Sequence, residues 1–129
     1  MKEELFQELV QSVKEGGQLM REFESGATRD TDDGKLDYEG FLAPQVIERY
    51  AKYMHRHRVQ ADGELRASNN WTRGIPKDAY MKSAWRHFMS WWKEHRGHKS
   101  REGIEEALCG LLFNVMGYLF EVLRGHEDL

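Results

Sequence analysis

Cysteine occurs once in this 129-residue chain and proline only twice. The lone Cys109 excludes an internal disulfide, so a reducing, cytoplasmic setting is the simplest expectation. Neither proline interrupts a periodic apolar segment, because Pro44 and Pro76 both stand where a helix would begin. The longest apolar run, near Leu108 to Val115, is far too short to span a bilayer, so no membrane is expected. The N-terminus is acidic and amphipathic rather than basic and apolar, which argues against a secretory signal. No internal repeat or low-complexity tract is present. The formal net charge of −3 advertises no nucleic-acid surface, and only His55 to Arg58 is locally basic.

The hydrophobic share of 40% and the charged share of 32% fit an ordinary soluble protein, and the length fits one domain over 1–129. Residues 2–15 predict a first helix with Leu5, Phe6, Leu9, Val10 and Val13 on one stripe and Gly16-Gly17 as its stop. Residues 25–43 carry four aspartates and three glycines with almost no apolar period, which predicts a loop. Within it Arg29 and Lys35 sit among glycines and hydroxyls, the chemistry of a loop that can wrap an anion. A second helix is expected from Pro44 to about Arg58, buried through Val46, Ile47, Tyr50, Tyr53 and Met54. His55 and His57 fall on different faces of that helix and make a poor metal pair.

The most informative stretch runs from Asn69 to Gly97. A turn at Asn69-Asn70-Trp71 and a Gly74-Ile75-Pro76 hinge lead into a helix, with Pro76 suited to its first turn. Ala79, Tyr80, Ala84, Phe88, Trp91 and Trp92 mark a core face, while Arg86, His87 and Glu94 line one edge. The last helix, roughly Arg101 to Arg124, is apolar on so many sides that it should be central or face a second subunit. One side of it steps through Glu106, Gly110, Asn114 and Gly117. That stripe fits either a tight helix crossing with Glu106 exposed and Asn114 capped, or a carboxylate and amide facing a polar cleft. The fold expected is all-α: a bundle of about four main helices with a long loop between the first two.

Several fragments occur together and in order: Asp33-Gly34-Lys35-Leu36-Asp37, Asn70-Trp71 with Gly74-Ile75-Pro76, Tyr80, Arg86-His87 and Glu94. Together they resemble the N-terminal domain of phage-encoded dATP/dGTP diphosphohydrolase-like proteins, over roughly residues 25 to 120. The resemblance implies an all-helical nucleotide pyrophosphohydrolase akin to MazG-like enzymes. Such an enzyme would cleave purine (deoxy)nucleoside triphosphates to monophosphate and pyrophosphate with Mg2+ (or Mn2+). The Glu-Glu-x-x-Glu and Glu-x-x-Asp motifs of MazG-like enzymes do not occur here.

That chemistry needs converging carboxylates for the metal, cations for the leaving pyrophosphate and a positioned water. Glu48, Glu94 and Glu106 come from three different helices and are the candidate metal ligands, Glu106 being preferred to Glu105 because it shares the small-residue stripe. His87 and Glu94 are the candidate catalytic residues. Arg29, Lys35 and Arg86 would hold phosphates, Arg86 through its planar fork, while Asn70 and Trp71 would meet the base. The expected partners are a purine dNTP and further copies of the chain. One rival is a non-catalytic helical accessory or partner-binding protein that retains the fold, favoured by the missing acidic motifs and the surplus of Trp85, Trp91 and Trp92. A zinc protein using His87, His95, His98 and Cys109 is a weaker rival, since the spacing fits no established pattern.

Overall fold

The computed structural model describes residues 2–14 and 20–127. They are mostly helical, with one small two-stranded sheet. The chain divides into two compact units, Met1–Leu42 and Ala43–Leu129.

In the first unit α1 (Lys2–Lys14) carries Glu3 and Glu4 in its first turn, where carboxylates complement the positive end of the helix dipole. The expected stop at Gly16-Gly17 lies outside the described residues. Strands β1 (Met20–Glu22) and β2 (Thr28–Asp30) pair antiparallel, with Met20 opposite Asp30 and Glu22 opposite Thr28. Gly26, at φ 88°, turns the chain between them and donates to the Phe23 carbonyl at 2.8 Å. A single helical turn, α2 (Tyr38–Phe41), follows, with the Asp37 carboxylate accepting from the Gly40 N–H at 2.8 Å. The loop predicted over 25–43 thus contains a strand and a helical turn. Elements of three and four residues are too short to show a period in an acidic, glycine-rich segment.

The second unit holds the three long helices α3 (Pro44–Arg56), α4 (Lys77–His95) and α5 (Ile104–Glu127), with a 3-10 turn at Asn70–Arg73. Pro44 opens α3 as predicted. Pro76 instead precedes α4 as its N-cap at φ −58° and ψ 141°, so it ends the extended hinge rather than starting the helix. Residues 57–69 form a narrow loop with a bridge between Val59 and Leu65, and the Arg66 N–H donates to the Arg58 carbonyl at 2.8 Å.

Helix α4 ends on Gly97 at φ 86°, where the His98 N–H reaches the Lys93 carbonyl and the Gly97 N–H reaches that of Glu94. This is the left-handed cap that glycine supplies without a Cβ penalty. The chain then turns back, and α5 runs antiparallel to α4. Tyr80 lies on Gly117, Ser83 bonds Asn114, and His87 lies on Gly110. The small-residue stripe is therefore a close helix crossing. A Cβ on Gly117 would sit 2.3 Å from the Tyr80 ring, and one on Gly110 would sit 2.5 Å from the His87 ring. Tyr80 is buried there with its ring edge-on to Phe113, a burial worth about 2–3 kcal/mol.

Helix α3 meets α5 through charge as well as packing. Tyr53 and Cys109 are buried. Arg49 bonds Glu105 at 2.7 Å and Glu106 at 3.1 Å, and Arg56 also donates to Glu106. Arg124 donates to the Thr72 carbonyl and Trp71 meets Phe120 edge-on at 4.7 Å, which ties the 3-10 turn to α5.

Candidate functional site

These packings leave a cavity of about 530 Å3 between α3, the 57–69 loop, the 3-10 turn and the α4–α5 crossing. Tyr53, Trp71, Ile75 and Phe113 give it an apolar wall. His55, His57, His87, Arg58 and Arg66 contribute imidazoles and guanidiniums, and Asn70, Ser83 and Asn114 contribute amides and a hydroxyl. Arg58 is steadied by its Nε–H, which donates to the Arg66 carbonyl at 2.8 Å. The mixture suits an anionic ligand with a flat apolar part.

His87 is held from two sides. Its ring rests on Gly110, and its Nδ1 is 2.8 and 3.1 Å from the two carboxylate oxygens of Glu102. With Nδ1–H donating to that carboxylate, Nε2 is the ring nitrogen left to meet a ligand. Glu102 arrives there because Glu94 organises the loop before it. Glu94 accepts from the Ser100 N–H at 2.9 Å and its hydroxyl at 3.0 Å, and the same hydroxyl accepts from the Gly103 N–H at 3.0 Å. These two bonds from Ser100 hold the Glu94 carboxyl below its ordinary pKa, against an opposing effect of burial.

Asn114 is buried, and its Nδ2 donates to the Ser83 hydroxyl at 3.1 Å and the Gly110 carbonyl at 2.7 Å. Glu106 lies beyond His57, 4.0 Å from its Nε2. Burial acts to raise the Glu106 pKa, but hydrogen bonds from Arg56 and Arg49 outweigh it and the net shift is downward. Burial pushes the Tyr53 hydroxyl up to about 12 and also raises the Cys109 thiol, Arg49 opposing it there.

Of the residues singled out from the sequence, Asn70, Trp71 and His87 meet in this one cavity. Glu94 does not face it directly and instead caps the loop that carries Glu102. Glu106 is committed to Arg49 and Arg56. Glu48 is exposed and pairs with Lys52 one turn along α3 at 3.2 Å. Arg86 is exposed on α4 and is not among the residues lining the cavity. Arg29 lies in β2, opposite Arg21, and Lys35 follows a turn in which its N–H donates to the Asp32 carbonyl at 2.9 Å; both belong to the first unit. The three expected carboxylates Glu48, Glu94 and Glu106 thus have separate engagements. Among the described residues no group of three or more His, Cys, Asp or Glu side chains is placed to hold a metal ion.

The sequence reading missed Glu102, His57, Arg58 and Arg66. Glu102 precedes the periodic part of α5, so helical spacing could not mark it. The local basicity of His55 to Arg58 was the available signal for the cationic side. No known protein family, curated protein or solved structure matches this chain.

Proposed function

We propose that the cavity is a nucleotide site and that the chain hydrolyses purine (deoxy)nucleoside triphosphates, dGTP or dATP, to monophosphate and pyrophosphate. The convergence of Trp71, Asn70 and His87 on one cavity with an Arg58–Arg66 side carries this reading. The volume lies within the range of about 300–1,000 Å3 usual for small-molecule sites. Trp71 offers a face for the base, Asn70 a donor and an acceptor for its edge, and the two guanidiniums a match for phosphate oxygens. His87, oriented by Glu102, is the group able to accept a proton from a water.

The divalent cation that this reaction calls for would rest on substrate phosphates and waters, because no Asp or Glu side chain among the described residues lines the cavity. Magnesium at nucleotide sites commonly takes only one or two carboxylates, with waters and substrate phosphates completing its shell. Glu102 is bonded to His87, and Glu106 to Arg49 and Arg56, so neither is placed to supply that carboxylate. Glu48 and Glu94 are engaged likewise, by Lys52 and Ser100. Bound to the phosphates, the ion would offset charge on their oxygens.

The separate engagements of those carboxylates also favour the second reading, a helical protein that binds nucleotide or a partner without turnover. The test measures pyrophosphate release from each of the four dNTPs with magnesium or manganese, and nucleotide binding by quenching of tryptophan emission in the native chain and in Trp71→Phe. Release of dGMP or dAMP, lost in His87→Ala and reduced in Glu102→Gln, supports the hydrolase. Quenching without turnover supports the binding reading. Neither signal from any nucleotide removes the cavity as a nucleotide site.

A further inference from the structure

The helix crossing sets the cavity residues in a fixed order along α5. His57 stands 4.0 Å from Glu106, His87 lies on Gly110, Ser83 bonds Asn114, and Trp71 meets Phe120. At a rise of about 1.5 Å per residue, Asn114 lies about 6 Å along the axis from the His87 level and about 9 Å from the Trp71 level. The His57 level is about 6 Å beyond His87, and Arg58 follows His57 directly.

Between the imidazole and the indole sits one polar pair whose hydrogen-bonding capacity is only half used. Asn114 is 3% exposed, and its Nδ2 donates to the Gly110 carbonyl at 2.7 Å and to the Ser83 hydroxyl at 3.1 Å. A carbonyl can only accept, so the Gly110 bond fixes the nitrogen on that side and turns Oδ1 away from it. Ser83 accepts from Nδ2, which leaves its own O–H to donate. Among the described residues no protein group bonds Oδ1 or takes that O–H. Both side chains line the cavity, and Oδ1 is not one of the sealed polar atoms that lack a partner. The pair therefore offers the cavity one fixed acceptor beside one donor.

We infer that Asn114 and Ser83 bind the sugar 3′-hydroxyl of the nucleotide, an assignment that rests on the reading of the cavity as a nucleotide site. A hydroxyl satisfies both groups at once, donating to Oδ1 and accepting from the Ser83 O–H. The order along α5 fits the sugar. A nucleoside triphosphate carries base, sugar, α-phosphate and outer phosphates in sequence, and the cavity presents Trp71, the Asn114–Ser83 pair, His87 and Arg58 in the same sequence. Phe113, beside Asn114, gives the sugar ring an apolar contact. A base edge would need the pair at the level of Trp71. A phosphate would bring its own negative oxygens against the Asn114 acceptor.

Dissociation constants of dGTP, dATP and their 2′,3′-dideoxy counterparts are measured on the full chain by quenching of tryptophan emission, which needs no turnover. In the native chain the dideoxy nucleotides should bind about tenfold or more weakly. Ser83→Ala and Asn114→Ala should weaken the deoxynucleotides to a similar degree and leave the dideoxy forms nearly unchanged, so the ratio falls toward one. Asn114 is buried, so where its alanine variant loses far-UV helicity Ser83→Ala carries the test. Equal binding of deoxy and dideoxy forms by the native chain overturns the inference and leaves the nucleotide site standing. A sugar preference that both variants keep does the same, as does a loss in the variants that is equal for both sugars. Quenching by none of these nucleotides removes the nucleotide site and this inference with it.

Discussion

Replacing Gly117 by alanine should destabilise the protein even though alanine is the better helix former. The new Cβ would lie 2.3 Å from two atoms of the Tyr80 ring and 2.6 Å from its hydroxyl. Ordinary contact begins near 3.4 Å, so ring or helix must retreat by about 1 Å. Tyr80 has little room, being 2% exposed with Phe113 against its ring. Overpacking of this kind costs about 1–3 kcal/mol, and the buried ring places the cost in the upper part of that range. The helix-propensity gain of about 1 kcal/mol offsets part of it. A net loss of about 1–2 kcal/mol remains, which lowers the midpoint of thermal unfolding by roughly 5–15 °C for a unit of this size. Gly125→Ala is the matched control on the same helix. Nothing lies within 4 Å of its added Cβ, so only the propensity gain remains and the midpoint should rise slightly. Thermal unfolding followed by circular dichroism distinguishes the two. In a double-mutant cycle, Tyr80→Leu with Gly117→Ala should cost less than the sum of the single changes. A Gly117→Ala protein that melts at or above the native midpoint would refute the crossing described here.

Gly110→Ala places a Cβ 2.5–2.7 Å from the His87 ring, so it should tilt that ring off Glu102 and, on the proposed hydrolase reading, depress dNTP turnover by about tenfold or more, with a smaller effect on nucleotide binding. Tyr80→Phe removes a buried hydroxyl that has no hydrogen-bond partner among the described residues, and should leave stability unchanged or raise it by about 1 kcal/mol in denaturant titration. A clear loss would show that the hydroxyl is engaged. The pH dependence of stability follows from the shifted groups. Glu94 and Glu106 have lowered folded pKa values, so their contributions are present above the ordinary carboxylate range and disappear as pH falls through those lowered values. Ser100→Ala should reduce the Glu94 share of that acid-side loss. Tyr53, raised to about 12, contributes below the ordinary tyrosine pKa, and that contribution is lost as pH rises from about 10 to 12. Chemical denaturation across both ranges, with tyrosinate absorbance on the alkaline side, checks each direction.

The helices themselves were legible in the sequence because a period of 3.6 residues is local information. Pro44 marked the start of α3, and Gly97 marked the end of α4. The stripe of Gly110, Asn114 and Gly117 allowed either a close crossing or a polar cleft in the sequence, and the seating of Tyr80 and His87 on the two glycines decided for the crossing. The convergence of Asn70, Trp71 and His87 could be suspected from residue type but not located, because the 57–69 loop that closes the cavity has no periodicity. What only the tertiary structure decided is the assignment of the carboxylates. Glu94 shares an edge of α4 with His87, yet the turn after α4 supplies a Ser100 hydroxyl and N–H that claim it. Glu102, fifteen residues from His87 in the chain, takes the place beside the imidazole instead. Helical spacing specifies which side chains share a face of one helix. Which carboxylate meets which base depends on the register between helices, set here by Tyr80 and His87 seating on Gly117 and Gly110.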